Sequence, residues 1–273
     1  MADLSKLSIN TLTNKPLPFE ELVNLYARKG VPAFSPWHTE IDSVGLSVAK
    51  KMIADSGLSV TSMCLCGLFS NEGRENRSDV LAHNRRVLDI AAEVGAPYVT
   101  IVPGGILPGT KSIQDTLDYN FDCVAETLEH ANSVGVGLAL EPLHPIYLAD
   151  WSGVNTLKTA NDWCEKLGDG IGVAVDIYHV WWDPNLPEEI TRASQAGTLL
   201  AYCVGDFLDP TSHPLNDRGL MGDGVIDIPS ITKLVEDAGY DGPYEVELFT
   251  STWWVEDQGV FIDEIKDRFV RFV

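Results

Sequence analysis

Residues 136–153 read VGLALEPLHPIYLADWSG. The stretch opens with a short apolar run of strand length, ends that run in a carboxylate, Glu141, and continues through a histidine and two aromatics. A run this short, bounded by Gly135 before it and Pro142 after it, reads as a strand buried on both faces. Such strands belong to parallel sheets covered by helices, so the flanking sequence decides the fold.

The same unit recurs along the chain. Short runs rich in valine, isoleucine and leucine begin near Lys6, Val31, Ser59, Pro97, Val136, Gly172, Leu199 and Tyr244. Between them lie segments of helical period, at residues 18–30, 46–57, 77–95, 113–135, 156–168, 186–197 and 226–239, and a last one closes the chain. Nearly all end in glycine, the residue that best tolerates the left-handed turn after a helix. Eight strands, each followed by a helix, predict an α/β protein built as one (β/α)8 TIM barrel over residues 1–273. A doubly wound sheet has fewer strands and fits less well.

Composition narrows the partners. Forty acidic residues against 19 basic ones give a formal charge of −21. Phosphate backbones and anionic membrane surfaces are repelled by such a chain, so neither nucleic acid nor a membrane is an expected partner. No window approaches the roughly 18 consecutive apolar residues of a spanning helix, and the N-terminal stretch lacks a signal-peptide core. The five scattered cysteines suit a reducing compartment, and a cytoplasmic protein is expected. Cys64 and Cys66, two apart, share one strand face as core fillers.

In a TIM barrel, side chains at the C-terminal ends of the strands converge on one mouth. Glu141 ends the fifth predicted strand, Asp176 the sixth and Glu247 the eighth. Three converging carboxylates repel one another, and a divalent cation resolves the conflict. Manganese suits such oxygen ligands best, with magnesium, cobalt or zinc as alternatives. His144 and His179 each follow a candidate ligand by three residues, which suggests proton transfer or substrate contact.

The motifs ALEPLHP, VAVDIYHVWWDP, RGLMGDGVIDIPSI and YEVELF resemble those of the sugar phosphate isomerase/epimerase superfamily, the xylose-isomerase-like TIM barrels. The resemblance implies one metal held by Glu141, Asp176, Glu247 and the position of Cys203, where relatives carry histidine or glutamine. A thiolate there would favour zinc, and a neutral thiol would leave the site to water, Asp206 or His213. It also implies substrate contacts from His179 and Arg218, with Glu141 and Glu247 as acid and base and His144 as an assisting group. Lys111, after a glycine-rich turn at residues 102–111, and Trp182, among several strand-end tryptophans, are further candidate contacts.

The expected chemistry is metal-dependent isomerisation or epimerisation of a sugar or polyol ketone by proton abstraction beside the carbonyl. Two other readings stay open. One is β-elimination from 3-oxo-glycosides, as in C-glycoside deglycosidase large subunits that work with a small partner chain. The other is a barrel that only binds sugar. Oligomerisation, with itself or with such a small subunit, is expected. The DNA-repair endonucleases of this fold need more histidines than the six present.

Overall fold

A computed structural model describes residues 3–273. Its main sheet holds, in chain order, β1 (Leu7–Asn10), β2 (Ala33–Ser35), β3 (Ser59–Val60), β4 (Met63–Gly67), β5 (Tyr98–Val102), β6 (Gly137–Leu140), β7 (Ile171–Asp176), β8 (Leu199–Val204) and β11 (Tyr244–Val246). Among the described residues these form one nine-stranded sheet in the order β3-β2-β1-β11-β8-β7-β6-β5-β4, and every pairing in it is parallel. The two ends, β3 and β4, are consecutive halves of the third predicted strand. A parallel bridge between Trp37 and Cys64 and the bond from Cys64 N–H to the Pro36 carbonyl carry β4 back towards β2, which brings the cylinder round on itself. This is a TIM barrel whose third strand is split in two.

The helices α1 (Phe19–Lys29), α3 (Leu46–Ser56), α4 (Arg77–Val94), α5 (Ile113–Val134), α6 (Leu157–Leu167), α8 (Leu186–Gln195), α9 (Ile228–Asp237) and α10 (Gln258–Phe272) fall where the helical period placed them. Three features go beyond that reading. Two short helices, α2 (His38–Val44) and α7 (Ile177–Val180), begin directly in strand-end loops. The seventh predicted strand also breaks at Gly205: β9 (Asp206–Phe207) leaves the barrel and pairs antiparallel with β10 (Arg218–Gly219). That small hairpin sits at the mouth.

Strand alternation sorts the side chains into two shells. Leu7 and Ile9, Leu138 and Leu140, Val173 and Val175, Tyr202 and Val204, and Tyr244 and Val246 point outward into the core shared with the helices. The intervening positions are small or polar: Ser8 and Asn10, Ala139, Ala174, Ala201 and Cys203, Glu245 and Glu247. Ala139, Ala174 and Ala201 pack together inside the barrel, with Tyr98 and Leu200 against them. The outer shell supplies the apolar burial. The inner shell is left free to carry polar groups at the strand ends.

The glycine-rich turn after β5 is structural. A Cβ on Gly104, whose φ is +123°, would lie 2.4 Å from Ser70 Oγ, and one on Gly105 would lie 2.1 Å from the Ala149 carbonyl oxygen. Gly104→Ala is therefore expected to lower stability by about 1–3 kcal/mol, the usual cost of overpacking, read as a drop in the urea midpoint. An unchanged midpoint would mean that the turn has room the structure does not show.

Candidate active site

β6 and β11 each run one residue past their last ladder pair, so that Glu141 N–H donates to the Ile101 carbonyl (3.1 Å) and Glu247 N–H to the Val204 carbonyl (3.3 Å). Both carboxylates are buried. They rise from walls separated by β7 and β8, and Asp176 ends β7 between them. The Asp176 side chain does two things. Oδ1 accepts from Tyr178 N–H (2.9 Å) and caps α7, while Oδ2 accepts from Arg218 (3.0 Å). The cap starts the helix that carries His179, so the three-residue spacing from Asp176 to His179 is one helical turn and not a loop.

Arg218 projects from β10 into this acidic centre. Its Nη1 lies 3.0 Å from Asp176 Oδ2, 3.0 Å from Glu247 Oε2 and 3.2 Å from the Glu247 carbonyl oxygen. Nη2 approaches His179 Nε2 at 3.1 Å. The His144 N–H approaches the other ring nitrogen, Nδ1, at 3.3 Å, so both ring nitrogens of His179 face donors. The guanidinium carbon lies 4.3 Å from the ring centre of Tyr178 and 5.0 Å from that of Phe249. Burial works against its charge, but Asp176 and Glu247 outweigh that and hold it protonated.

The same burial reshapes the acids. Glu141 is driven well above the usual carboxylate range by desolvation and then by the charges of Glu247 and Asp176. Glu247 is pushed up to about 7 by burial, with Arg218 opposing. Burial also raises Asp176 against the pull of Arg218. His179 is held well below its ordinary value by desolvation and then by Arg218, so its imidazole is neutral.

These groups face a cavity of about 50 Å³ whose wall includes Glu141, His179, Arg218, Glu247, Tyr147, Thr100, Phe249 and Trp37. Two buried polar atoms beside it, Tyr147 Oη and Arg218 Nε, have no partner. Buried polar atoms are normally satisfied, and here both border the space where a polar ligand would lie. Trp37, Leu65 and Trp151 line both this cavity and a wider cleft of about 620 Å³.

Ligating atoms of Glu141, Asp176 and His179 lie within 4.8 Å of one another. With Glu247 across Arg218, they make an oxygen-rich donor set with one imidazole, which suits a hard or borderline divalent cation. The position between Asp176 and Glu247 is held by Arg218 Nη1, so a cation would enter there only in exchange for that guanidinium. Cys203 is not in this group. It lies inside β8 level with Glu245, and burial, followed by the charge of Glu245, raises its thiol well above the ordinary value, so it is not a thiolate.

Other expected contributors lie elsewhere. Asp206 spends both carboxylate oxygens on four amides, those of Phe207 and Ile226 (2.9 and 3.0 Å) and of Gly222 and Gly224 (3.0 and 2.9 Å), and organises the loop that presents Arg218. His213 is exposed and accepts from Leu215 and Asn216 N–H within its own turn. His144 stacks on Phe207 at 5.7 Å, and its Nδ1 accepts from Ile146 N–H, so its ring is a packing element beside the cavity and not part of its wall. Trp182 donates to the His179 carbonyl (2.8 Å) and supports that residue from behind. Lys111 is exposed in the loop before α5 and reaches neither cavity.

A layer beneath the acids was not anticipated. Asn10 donates to Glu245 Oε1 (2.9 Å) and Glu247 Oε1 (3.0 Å), and its own Oδ1 accepts from Trp37 Nε1 (2.9 Å). Glu245 Oε2 accepts from Ser62 (2.8 Å). The spacing of YEVELF held the signal, since residues 245 and 247 must share the inner face. Cys64, Glu245 and Glu247 also cluster, but the Glu245 oxygens are already taken by Asn10 and Ser62.

The family model described as "Xylose isomerase-like TIM barrel" matches residues 24–266. The chain belongs to that family. Its curated relatives include inosose isomerases, L-ribulose-5-phosphate 3-epimerases and a ketose 3-epimerase. Among them, the inosose isomerase of Halalkalibacterium halodurans is 24% identical over 209 residues, covering 75% of this chain and 72% of the relative. Among solved family structures, protein SMc04130 of Sinorhizobium meliloti 1021 is 40% identical and superposes with a TM-score of 0.96 over 99% of both chains. The IOLI protein, solved with a binding zinc atom, superposes with a TM-score of 0.84 at 19% identity over 98% of both chains.

The arginine is the keystone of this site. Replacing Arg218 with methionine leaves two buried carboxylates facing each other, and a loss of about 3–5 kcal/mol is expected in chelator-treated buffer, the usual result of removing one partner of a buried ion pair. Adding Glu247→Gln to that variant should recover part of the loss. Additive penalties in the double variant would show that the two residues are not coupled.

Proposed function

We propose that this barrel interconverts isomers or epimers of a sugar or polyol ketone by moving a proton on the carbon beside the carbonyl. One observation carries the reading: Glu141 and Glu247, both buried and both raised above the usual carboxylate range, stand on different walls of one small cavity, with Arg218 bonded to Glu247 at its edge. Glu247, raised to about 7, can both take and return a proton, and Glu141 on the opposite wall, held largely protonated by burial, can donate to the other face of a planar intermediate. The relatives named as inosose isomerase and ketose 3-epimerase support the same reaction class.

Glu141, Asp176, Glu247 and His179 are the residues that would hold a divalent metal, and the zinc in the IOLI structure supports a divalent ion in a barrel of this fold. When bound, such an ion supplies Lewis-acid stabilisation of the negative charge that develops on substrate oxygens. Arg218 Nε, partnerless beside the cavity, offers a donor to those oxygens. Tyr147 Oη offers a further hydrogen bond at the cavity wall. His179, neutral and fixed on α7, orients a hydroxyl without competing for the proton. Trp37, Phe249 and Leu65 keep bulk water from the reacting carbon.

The test is a screen of keto-sugars and inososes in D2O, following deuterium incorporation beside the carbonyl by NMR, with elemental analysis of the same protein. One divalent ion per chain and solvent-derived deuterium in the product are expected. Glu247→Gln should lower kcat by about a hundred- to ten-thousandfold, the range typical for a general acid–base group. Undiminished turnover after chelation, or in the Glu247→Gln protein, would overturn the assignment.

A further inference from the structure

The first strand lends no side chain to the wall of the deep cavity, yet it reaches three residues that do. Asn10, the last residue of β1, is fully buried, and Trp37, Cys64 and Glu247 of that wall all lie against its amide.

The chemistry of these neighbours fixes which way the amide points. Oδ1 accepts from Leu12 N–H (3.1 Å) and from Trp37 Nε1 (2.9 Å), and both of those groups can only donate. Nδ2 therefore faces the acceptors, Glu245 Oε1 at 2.9 Å and Glu247 Oε1 at 3.0 Å, with one hydrogen for each. Cys64 Sγ, at 3.5 Å, is a more distant third neighbour. A flipped amide would set donors against donors and an oxygen against two carboxylates. Aspartate at this position would have no hydrogen to give, and serine would have a single hydroxyl for four partners.

Both cavity groups tied to Asn10 are held a second time from elsewhere. Glu247 Oε2 accepts from Arg218 Nη1 (3.0 Å), so each oxygen of the carboxylate carries one donor, and the group cannot rotate without losing one. Trp37 N–H donates to Glu40 Oε2 (3.2 Å), an oxygen that also accepts from Thr11 Oγ1. Asn10 and Thr11, adjacent in the chain, thus clamp Trp37 at its indole and at its backbone. Glu245 lines neither the cavity nor the cleft, and Ser62 donates to its other oxygen (2.8 Å).

We propose that Asn10 is a positioning residue of the reaction: its one amide sets the Glu247 carboxylate at the angle needed for proton transfer and holds the Trp37 indole as the wall beside it. This rests on the proton-transfer reading above and adds what keeps the acid and the wall in register. Alignment matters because reacting atoms must be held about 3–3.5 Å apart with their orbitals directed at one another.

Asn10→Asp keeps an acceptor for Trp37 and Leu12 and removes both hydrogens from the acids. It is expected to lower kcat about a hundredfold, the loss typical of a group misplaced by roughly 1 Å, with KM changed less than about threefold. Adding Glu245→Gln restores the charge, and the new amide can donate to the new carboxylate while its oxygen still accepts from Ser62. The urea midpoint of that double variant should recover and its kcat should not. Recovery of both together, or wild-type kcat in Asn10→Asp, would show that Asn10 serves only the fold.

A readout free of turnover is the NMR spectrum of the indole N–H groups in the protein as purified, with the Trp37 signal assigned by Trp37→Phe. Glu247→Gln should move that signal by several linewidths. Glu141→Gln, on the same cavity but without a bond to Asn10, should leave it in place. Displacement by both, or by neither, would overturn the link. Coupling without deuterium exchange into any ketone would sink the proposed reaction and leave Asn10 joining Trp37 to Glu247, whereas turnover without coupling would do the reverse, so the two failures are distinct.

Discussion

A buried guanidinium between two carboxylates holds the mouth of this barrel together. Asp176, Glu247 and Glu141 are each costly to desolvate, and the charge of Arg218 at 3.0 Å from two of them makes their company tolerable. That placement depends on structure well away from the acids. Arg218 comes from a hairpin that exists because the chain leaves the barrel at Gly205, and the hairpin loop is tied down by the four amide bonds of Asp206. The rings of Tyr178 and Phe249 then lie beside the guanidinium.

The barrel beneath can carry this because its two shells have separate tasks. Outward-facing leucines, valines, isoleucines and tyrosines bury apolar area against the helices, and this is the dominant stabilising term. Inward positions are then relieved of core duty. Small residues fill the lower barrel, and a ladder of Asn10, Glu245 and Ser62 satisfies the polar groups directly under the site. The raised carboxylates are a consequence: the cylinder excludes water from the strand ends while its inner face places acids there.

Much of the fold was legible in the chain, and for identifiable reasons. Strands buried on both faces produce unbroken apolar runs, and helices such as α4 and α5 produce a clear period closed by Gly95 and Gly135 with positive φ. Glu141, Asp176 and Glu247 stood out because a charge at the end of an apolar run has no local explanation. Shorter elements did not show. α2 and α7 are too brief for a period to develop, and β9 with β10 amounts to two ladder pairs fixed by a distant loop.

The order of strands and helices, the inward parity of residues 245 and 247, and the acids at three strand ends were determined by sequence alone, because each follows from local period and composition. Tertiary structure alone decided the rest. It gave Asp206 to backbone amides, turned His144 into a packing ring against Phe207, left Lys111 outside, set Cys203 among the acids as a neutral thiol, and put Arg218 where a cation would sit. These outcomes turn on distances of a few ångströms between segments far apart in the chain, and neither period nor composition carries that information.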